Sequence, residues 1–294
     1  MRSKIVSQQA KWIKLLSAAC EGDIGHAKRQ LFWLKEKVVP DSHRRMTNDL
    51  LDQEVDLLDQ YVHEHVHHHK PLQYILGTQP FCELDILTRP PTLIPRWETE
   101  EWTYKVIDLI KQHDISAMKR PLHILDICTG SGCIALALAK HLPESTVHVT
   151  GLDISKRAIS LAEENLDLHR HELQNSVEFK HQDVFHYPIE ETTVDLIVSN
   201  PPYVTQEEYA KLDPNVKDWE DIRALVAEEQ GTRVHQRIID LASAIKPSFS
   251  PFLFMEIGGT HQVSLLKQMM KDKGIKKSTV WKDLAGQDRV VVGY

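Results

Sequence analysis

Long apolar runs are missing from this chain of 294 residues. No stretch of about 18 apolar residues occurs, so no segment reads as a membrane span. Cysteine is scarce, and the four present, Cys20, Cys82, Cys128 and Cys133, form no CxxC pair. That argues against a disulfide framework and for a reducing compartment. Positive charge is in deficit: 35 Lys+Arg face 42 Asp+Glu, a net charge of −7 with an isoelectric point near 6.2. A protein whose main task is gripping a nucleic-acid backbone needs a broad basic face, which this balance disfavours. What remains is 41% hydrophobic and 26% charged, the composition of a globular chain long enough for one large domain or two modest ones.

The N-terminus reads two ways. Arg2, Lys4, Lys11 and Lys14 precede the first acid, Glu21, with Ser3, Ser7 and Ser17 among them. Basic, Ser-containing and acid-free is the composition of a transit peptide, and residues 1–20 would then be the leader. The same residues equally suit a first helix with a solvated basic face. A secretory signal is not expected, since no uninterrupted apolar stretch follows the charges.

Residues up to about 70 predict helices. Asp23 is a candidate N-cap for a helix carrying Ala27, Leu31, Leu34 and Val38 at helical spacing until Pro40. A second helix is expected from about Thr47, with Leu50, Leu51, Val55, Leu58 and Val62 on one stripe. Residues 72–95 hold short apolar runs broken by Gly77 and Pro90-Pro91, the pattern of a hairpin and an extended connector. A helix follows from Arg96 to about Gln112. After Pro121, strands at 122–127, 147–152, 177–180, 194–198 and 252–257 alternate with helical stretches. The final segments Thr279–Lys282 and Arg289–Val292 are expected to pair antiparallel. Such alternation means a doubly wound α/β sheet, which binds ligands at the carboxyl ends of its strands.

Two places carry chemistry. Asp126-Ile127-Cys128-Thr129-Gly130-Ser131-Gly132 follows the first of these strands and opens a helix, where glycines admit a ligand and free N–H groups face it. Asp153 closes the next strand, where an acid can take the two hydroxyls of a ribose. Gly130-x-Gly132-x-x-Ala135 also satisfies a nicotinamide-dinucleotide fingerprint, so this loop alone leaves a dehydrogenase and an S-adenosylmethionine enzyme both open. The second place is Ser199-Asn200-Pro201-Pro202-Tyr203, at the end of the 194–198 strand. Prolines carry no N–H, so the Asn200 side-chain oxygen and the Pro201 carbonyl can both accept from one planar NH2 group, with Tyr203 stacking on it. An amide nitrogen is a poor nucleophile. Two acceptors holding its hydrogens favour the charge that develops as it attacks a methyl carbon.

On these residues the chain resembles the HemK/PrmC-type release factor glutamine methyltransferases. The resemblance runs through Pro71-Leu72-Gln73-Tyr74-Ile75-Leu76-Gly77, Leu93-Ile94-Pro95-Arg96-Trp97-Glu98-Thr99-Glu100, the glycine loop, Asn200–Tyr203 and Asp288-Arg289-Val290-Val291-Val292-Gly293-Tyr294. It implies a seven-stranded class I methyltransferase sheet at 96–294, a helical substrate-recognition domain at 1–70 and a hairpin linker at 71–95. It implies transfer of a methyl group from S-adenosylmethionine to the glutamine side chain of a release factor's Gly-Gly-Gln loop. It further implies a monomer with no direct nucleic-acid substrate and no membrane association. Carried over by position, Asp126, Cys128, Thr129, Gly130, Ser131, Gly132, Asp153, Asp183, Val184 and Asn200 would hold the cofactor. Asn200, Pro201, Pro202 and Tyr203 would hold the glutamine. Cys128 departs from the family, standing where the first loop glycine is usual. Trp97 departs from the bacterial proline, and the Arg-Trp-Glu-Thr-Glu form resembles fungal mitochondrial members, which implies the mitochondrial matrix, or the cytoplasm if the chain is bacterial.

Other patterns weigh less. His63-Glu64-His65-Val66-His67 matches the HExxH of zinc proteases, but lies far in sequence from both places, has no evident third ligand and reads better as a polar helix end, so no metal is assigned. Glu256 and Gln262 are within reach of the site, although an acid before Gly258-Gly259 also suits a helix cap. Glu98 and Glu100 favour a helix dipole whatever else they do. Glu220-Asp221-Ile222-Arg223-Ala224-Leu225 is an insertion near the substrate mouth with no role assigned. Competing readings are a nucleic-acid amine methyltransferase, which lacks a basic, aromatic-interleaved module here, and a non-catalytic adaptor, which has no need of an intact Asn-Pro-Pro-Tyr turn.

Overall fold

The computed structural model describes residues 2–47, 49–113, 115, 118–188 and 193–294, with side chains from Gln8 onward. Met1 and the side chains of Arg2, Ser3, Lys4 and Ser7 lie outside the described residues, while Lys11, Lys14 and Ser17 sit in a helix, Arg2–Ala19. The chain divides into two units, Met1–Thr78 with Asp213–Trp219, and Gln79–Leu212 with Glu220–Tyr294.

The first unit is helical. Helices Arg2–Ala19, Ile24–Val38, Ser42–Thr47, Asp52–His67 and Leu72–Leu76 enclose a core of Trp12, Leu16, Leu31, Leu34, Leu58 and Val62. Asp23 caps the second helix by accepting from the His26 N–H at 2.9 Å, as its position predicts. The expected helix from Thr47 starts instead at Asp52. The Glu54 carboxylate reaches back to the Leu51 N–H at 2.7 Å and is gripped by both Arg44 guanidinium nitrogens, which fixes the helix start there and leaves Thr47 ending a short helix of its own. Residues 213–219 join this unit, with the Trp219 indole N–H donating to the His68 carbonyl at 3.0 Å. Within the histidine-rich helix end, Glu64 is committed to Lys70 at 2.7 Å and Gln60 at 2.8 Å, and His65 to the Lys70 carbonyl. Among the described residues no group of three or more His, Cys, Asp or Glu is arranged to hold a metal ion.

From Thr78, the last residue of the first unit, the chain enters a two-stranded sheet, β1 (Thr78–Phe81) and β2 (Leu84–Leu87), joined by Cys82 and Glu83, both with positive φ. The helix Trp97–Lys111 follows, and then a seven-stranded sheet. Its strands are β3 (Leu122–Ile127), β4 (Val147–Asp153), β5 (Ser176–His181), β6 (Leu196–Ser199), β7 (Leu253–Glu256), β8 (Ser278–Lys282) and β9 (Asp288–Gly293), in the order β5-β4-β3-β6-β7-β9-β8. The first five run parallel. The β8–β9 pair is antiparallel, as its spacing predicts, and β9 joins β7 antiparallel. The strands alternate with the helices Cys133–His141, Lys156–His169, Arg233–Ala244 and Thr260–Asp272. This is the expected doubly wound class I methyltransferase sheet. Because β3 pairs with β4 on one side and β6 on the other, the strand order reverses there, and a crevice opens at their carboxyl ends. Ile127 and Ser199 are register partners, so the glycine loop and the Asn-Pro-Pro-Tyr corner leave the sheet side by side.

Candidate active site

Strand geometry sets the loop. At the end of β3 the chain turns through Cys128 (φ 62), Gly130 (φ 57) and Gly132 (φ 82) before the helix at Cys133. Cys128 thus adopts a left-handed backbone that suits glycine, a conformation costing an L-residue about 1 kcal/mol. Gly132 has no such latitude: a Cβ there would lie 2.6 Å from the Phe179 ring and 3.1 Å from Ala162. A cavity of about 280 Å³ opens over this loop. Of the residues singled out by sequence, Cys128, Gly130, Asp153, Asp183, Val184, Asn200 and Pro202 line it. Asp126, Thr129, Ser131, Gly132, Pro201 and Tyr203 are not among the lining residues.

The carboxylate of Asp153 is held by two backbone donors, Gly130 N–H at 3.0 Å and Ser155 N–H at 2.8 Å, and burial raises its pKa. Asp183 starts the next turn, accepting from the Phe185 N–H at 2.9 Å and pairing with the His186 Nδ1 at 3.0 Å. Arg237 braces that turn by donating to the carbonyls of Val184 at 2.9 Å and Tyr187 at 2.7 Å. Asp126 is wholly buried, so desolvation pushes its carboxyl up to about 7, and the Thr129 hydroxyl donates to its Oδ2 at 2.6 Å. Its Oδ1 has no hydrogen-bond partner among the described residues.

The second corner is built from distant segments. Ser199 Oγ donates to the Ile127 carbonyl at 2.6 Å, fastening β6 to β3. Asn200 Nδ2 donates to Thr99 Oγ1 at 3.1 Å, and that hydroxyl donates to Glu256 Oε2 at 2.7 Å. Trp102 Nε1 donates to the same oxygen at 2.8 Å, while the Tyr203 hydroxyl reaches Glu256 Oε1 at 3.3 Å. Glu256 is completely enclosed, and burial raises its pKa, as it does that of the Tyr203 phenol. Gln262 clamps the backbone: its Nε2 donates to the carbonyls of Tyr203 and Gln230, both at 3.0 Å, and its Oε1 accepts from the Gly258 N–H at 2.8 Å. Opposite Tyr203 the chain runs left-handed through Glu229, Gln230 and Gly231.

Glu256 and Gln262, expected near the site, are thereby integral to it. Thr99 and Trp102 escaped sequence reasoning as site residues, since only an interior acid in need of partners points to them. Glu100 is turned elsewhere and accepts from the Cys82 N–H at 2.7 Å, holding the β1–β2 turn. Glu220, buried, accepts from the Arg96 guanidinium at 2.6 Å and the Ile94 N–H at 3.2 Å. Asp221 and Arg223, paired at 2.6 Å, line the cavity, so the insertion lies at the site, as its position after the Asn-Pro-Pro-Tyr corner leads one to expect.

Comparison with known proteins agrees with this geometry. Residues 105–215 match the family described as Methyltransferase small domain. The mitochondrial MRF1 N(5)-glutamine methyltransferase MTQ1 of Saccharomyces cerevisiae is 34% identical over 296 residues, spanning 96% of this chain and 83% of that protein. The release factor glutamine methyltransferase of Bacteroides thetaiotaomicron is 38% identical over 76% of this chain and 75% of its own. The probable mitochondrial enzyme mtq1 of Schizosaccharomyces pombe is 36% identical over 76% and 74%. Among solved structures, the hMettl16 catalytic domain bound to a MAT2A 3'UTR hairpin superposes with a TM-score of 0.54 at 17% identity, covering 83% of this chain and 81% of that one, a likeness of fold. With relatives 34% and 38% identical over 96% and 76% of its length, the chain belongs to the release factor glutamine methyltransferases.

Proposed function

We propose that the chain transfers a methyl group from S-adenosylmethionine to the side-chain amide nitrogen of the glutamine in a release factor's Gly-Gly-Gln loop. The observation that carries this reading is that Asn200 and Pro202 line the same cavity as Gly130 and Asp153. The residues suit the cofactor. Asp153, fixed by two N–H groups, faces the cavity as an acceptor for a ribose diol, and Val184 and Leu152 give apolar walls for a flat ring. Asp183 and the braced 184–186 turn would bound the adenine, and Cys128 and Gly130 would meet the remainder. The bound cofactor supplies an electrophilic methyl on a sulfonium.

The chain's own groups do the rest. Asn200 Oδ1 and the Pro201 carbonyl accept the two hydrogens of the acceptor amide. As positive charge grows on that nitrogen these bonds strengthen, which is selective stabilisation of the transition state. Rigidity of the double-proline corner contributes orientation. Tyr203 and the apolar walls exclude water; the methyl–sulfur bond breaks as the methyl–nitrogen bond forms, leaving the cofactor as a neutral thioether, and one amide proton leaves during or after transfer, with no residue assigned as a strong base. The 1–70 helical domain would read the body of the factor, making the folded factor a far better substrate than a short peptide. We further propose a monomer acting in the mitochondrial matrix; the mitochondrial names of the two fungal relatives support the organelle.

Methyl-labelled S-adenosylmethionine with a purified release factor tests the reading. Label is expected on the factor, lost when its loop glutamine is replaced, and reduced about 100- to 1000-fold in rate by Asn200→Ala. Label on nucleic acid, or label surviving replacement of that glutamine, overturns it.

A further inference from the structure

We propose that Thr99 and Glu256 are positioning residues: through one directional hydrogen-bond chain they decide which way the Asn200 carboxamide faces, so that its oxygen meets the acceptor. The proposal rests on the reading of Asn200 as an acceptor-binding residue.

The two ends of an asparagine side chain have nearly the same shape and opposite polarity. Shape alone therefore does not orient Asn200. An inverted carboxamide would set its NH2 against the NH2 of the acceptor, donor against donor, and the site would repel the group it has to hold. The surrounding inventory of donors removes the ambiguity. The Trp102 indole has a hydrogen and no lone pair, so the oxygen facing it, Glu256 Oε2, must accept. Thr99 has one hydroxyl hydrogen, and with Glu256 ionised that hydrogen, 2.7 Å from the same oxygen, is spent on Glu256. Only lone pairs of Thr99 are left for Asn200, and at 3.1 Å they accept from Nδ2. Oδ1 is then the end that remains for a ligand. The Tyr203 hydroxyl on Glu256 Oε1 ties the other end of the Asn-Pro-Pro-Tyr corner to the same carboxylate. The chain spans 101 residues from Asn200 to Thr99 and 157 from Thr99 to Glu256, and both Thr99 and Glu256 are nearly inaccessible. The low dielectric around them makes the polarity of the chain costly to reverse.

Thr99→Val keeps the outline of the side chain and removes the hydroxyl, while Thr99→Ser restores it. The measurements are methyl-transfer rates to the folded release factor, cofactor affinity and thermal midpoint. Thr99→Val is expected to lower kcat about 10- to 100-fold while the cofactor Kd moves less than about twofold, and Thr99→Ser to return kcat to within about threefold of wild type. In an Asn200→Ala background Thr99→Val is expected to cost nothing more, since the group it orients is gone. Wild-type kcat in Thr99→Val, or an equal further loss in the Asn200→Ala background, overturns the proposal. Should Thr99→Val not fold, Thr99→Cys replaces the hydroxyl by a poor acceptor at similar volume and is expected to show the same loss. If the wild type fails to label the factor, the functional reading falls by itself, and nitrogen-15 NMR still reads the chain. The Asn200 side-chain hydrogens should exchange slowly in wild type and Thr99→Ser and quickly in Thr99→Val. Equal exchange in all three overturns it.

Discussion

Gly231 offers a sharp test of how tightly the acceptor corner is built. Its φ is +76, and a Cβ placed on it would stand 2.1 Å from the Tyr203 carbonyl oxygen and 2.6 Å from Gln262 Nε2. Gly231→Ala therefore combines two costs that can be separated. Left-handed backbone costs an alanine about 1 kcal/mol. Gly274, at φ +87 with open space around it, carries only that cost, so Gly274→Ala is the matched control. The second cost is displacement. Real Cβ contacts do not fall under 3.0 Å, so the Tyr203 carbonyl must retreat by about 0.9 Å, out of its bond to Gln262. A shift of about an ångström at a positioned reacting group costs on the order of 100-fold in rate. Single-turnover methyl transfer under saturating cofactor should thus fall about 100-fold in Gly231→Ala and less than about twofold in Gly274→Ala, with cofactor affinity preserved in both. The thermal midpoint of Gly231→Ala should also lie below that of the control. Equal rates for the two variants would show that the 229–231 segment does not hold Tyr203 in place, and the account of the corner would be wrong.

Two buried groups give stability predictions with opposite dependence on pH. His235 donates from Nε2 to the Glu256 carbonyl at 2.8 Å, and burial pushes its pKa down to about 4. The unfolded chain binds a proton near 6.5 that the folded one refuses, so this contribution is complete above 6.5 and lost as pH falls toward 4, amounting to about 3 kcal/mol. His235→Gln should flatten the acid limb of urea-unfolding stability over that window, and an unchanged slope refutes the assignment. Arg96→Ala strips Glu220 of its cation, and burial already raises the Glu220 pKa. A raised carboxyl destabilises above its unfolded pKa and is relieved on protonation. The loss should therefore be visibly smaller at pH 5 than at pH 8, where it should reach about 2–3 kcal/mol, below the full cost of breaking a buried pair because Arg96 is one-third exposed. A loss that grows toward pH 5 contradicts it.

How much of this was legible beforehand follows from how local each signal is. The sheet was readable because strand and helix periods are local, and the helix expected over 96–112 falls at Trp97–Lys111. Adjacency of the glycine loop and Asn200 was readable because parallel winding leaves few places for the 194–198 strand. Glu256 looked equally like a helix cap because its three side-chain donors lie 53, 154 and 157 residues away, and no window of sequence holds them together. Arg96 and Glu220 are hidden for the same reason, 124 residues apart. The left-handed Glu229 and Gln230 carry no residue type that announces such a backbone; tertiary clamping by Gln262 imposes it. Glu54 moved a helix start because a side-chain hydrogen bond outweighed an apolar stripe that ran on through Leu50 and Leu51.

The excursion of residues 213–219 into the helical unit has a consequence for how the molecule can be taken apart. Excising the first 78 residues would not yield a clean module, since the piece left behind would still carry an indole whose hydrogen-bond acceptor, the His68 carbonyl, had been cut away. Swapping that helical head for one from another species faces the same problem. A viable chimaera must exchange two stretches of sequence, the head and the short loop that returns to it, as a matched set.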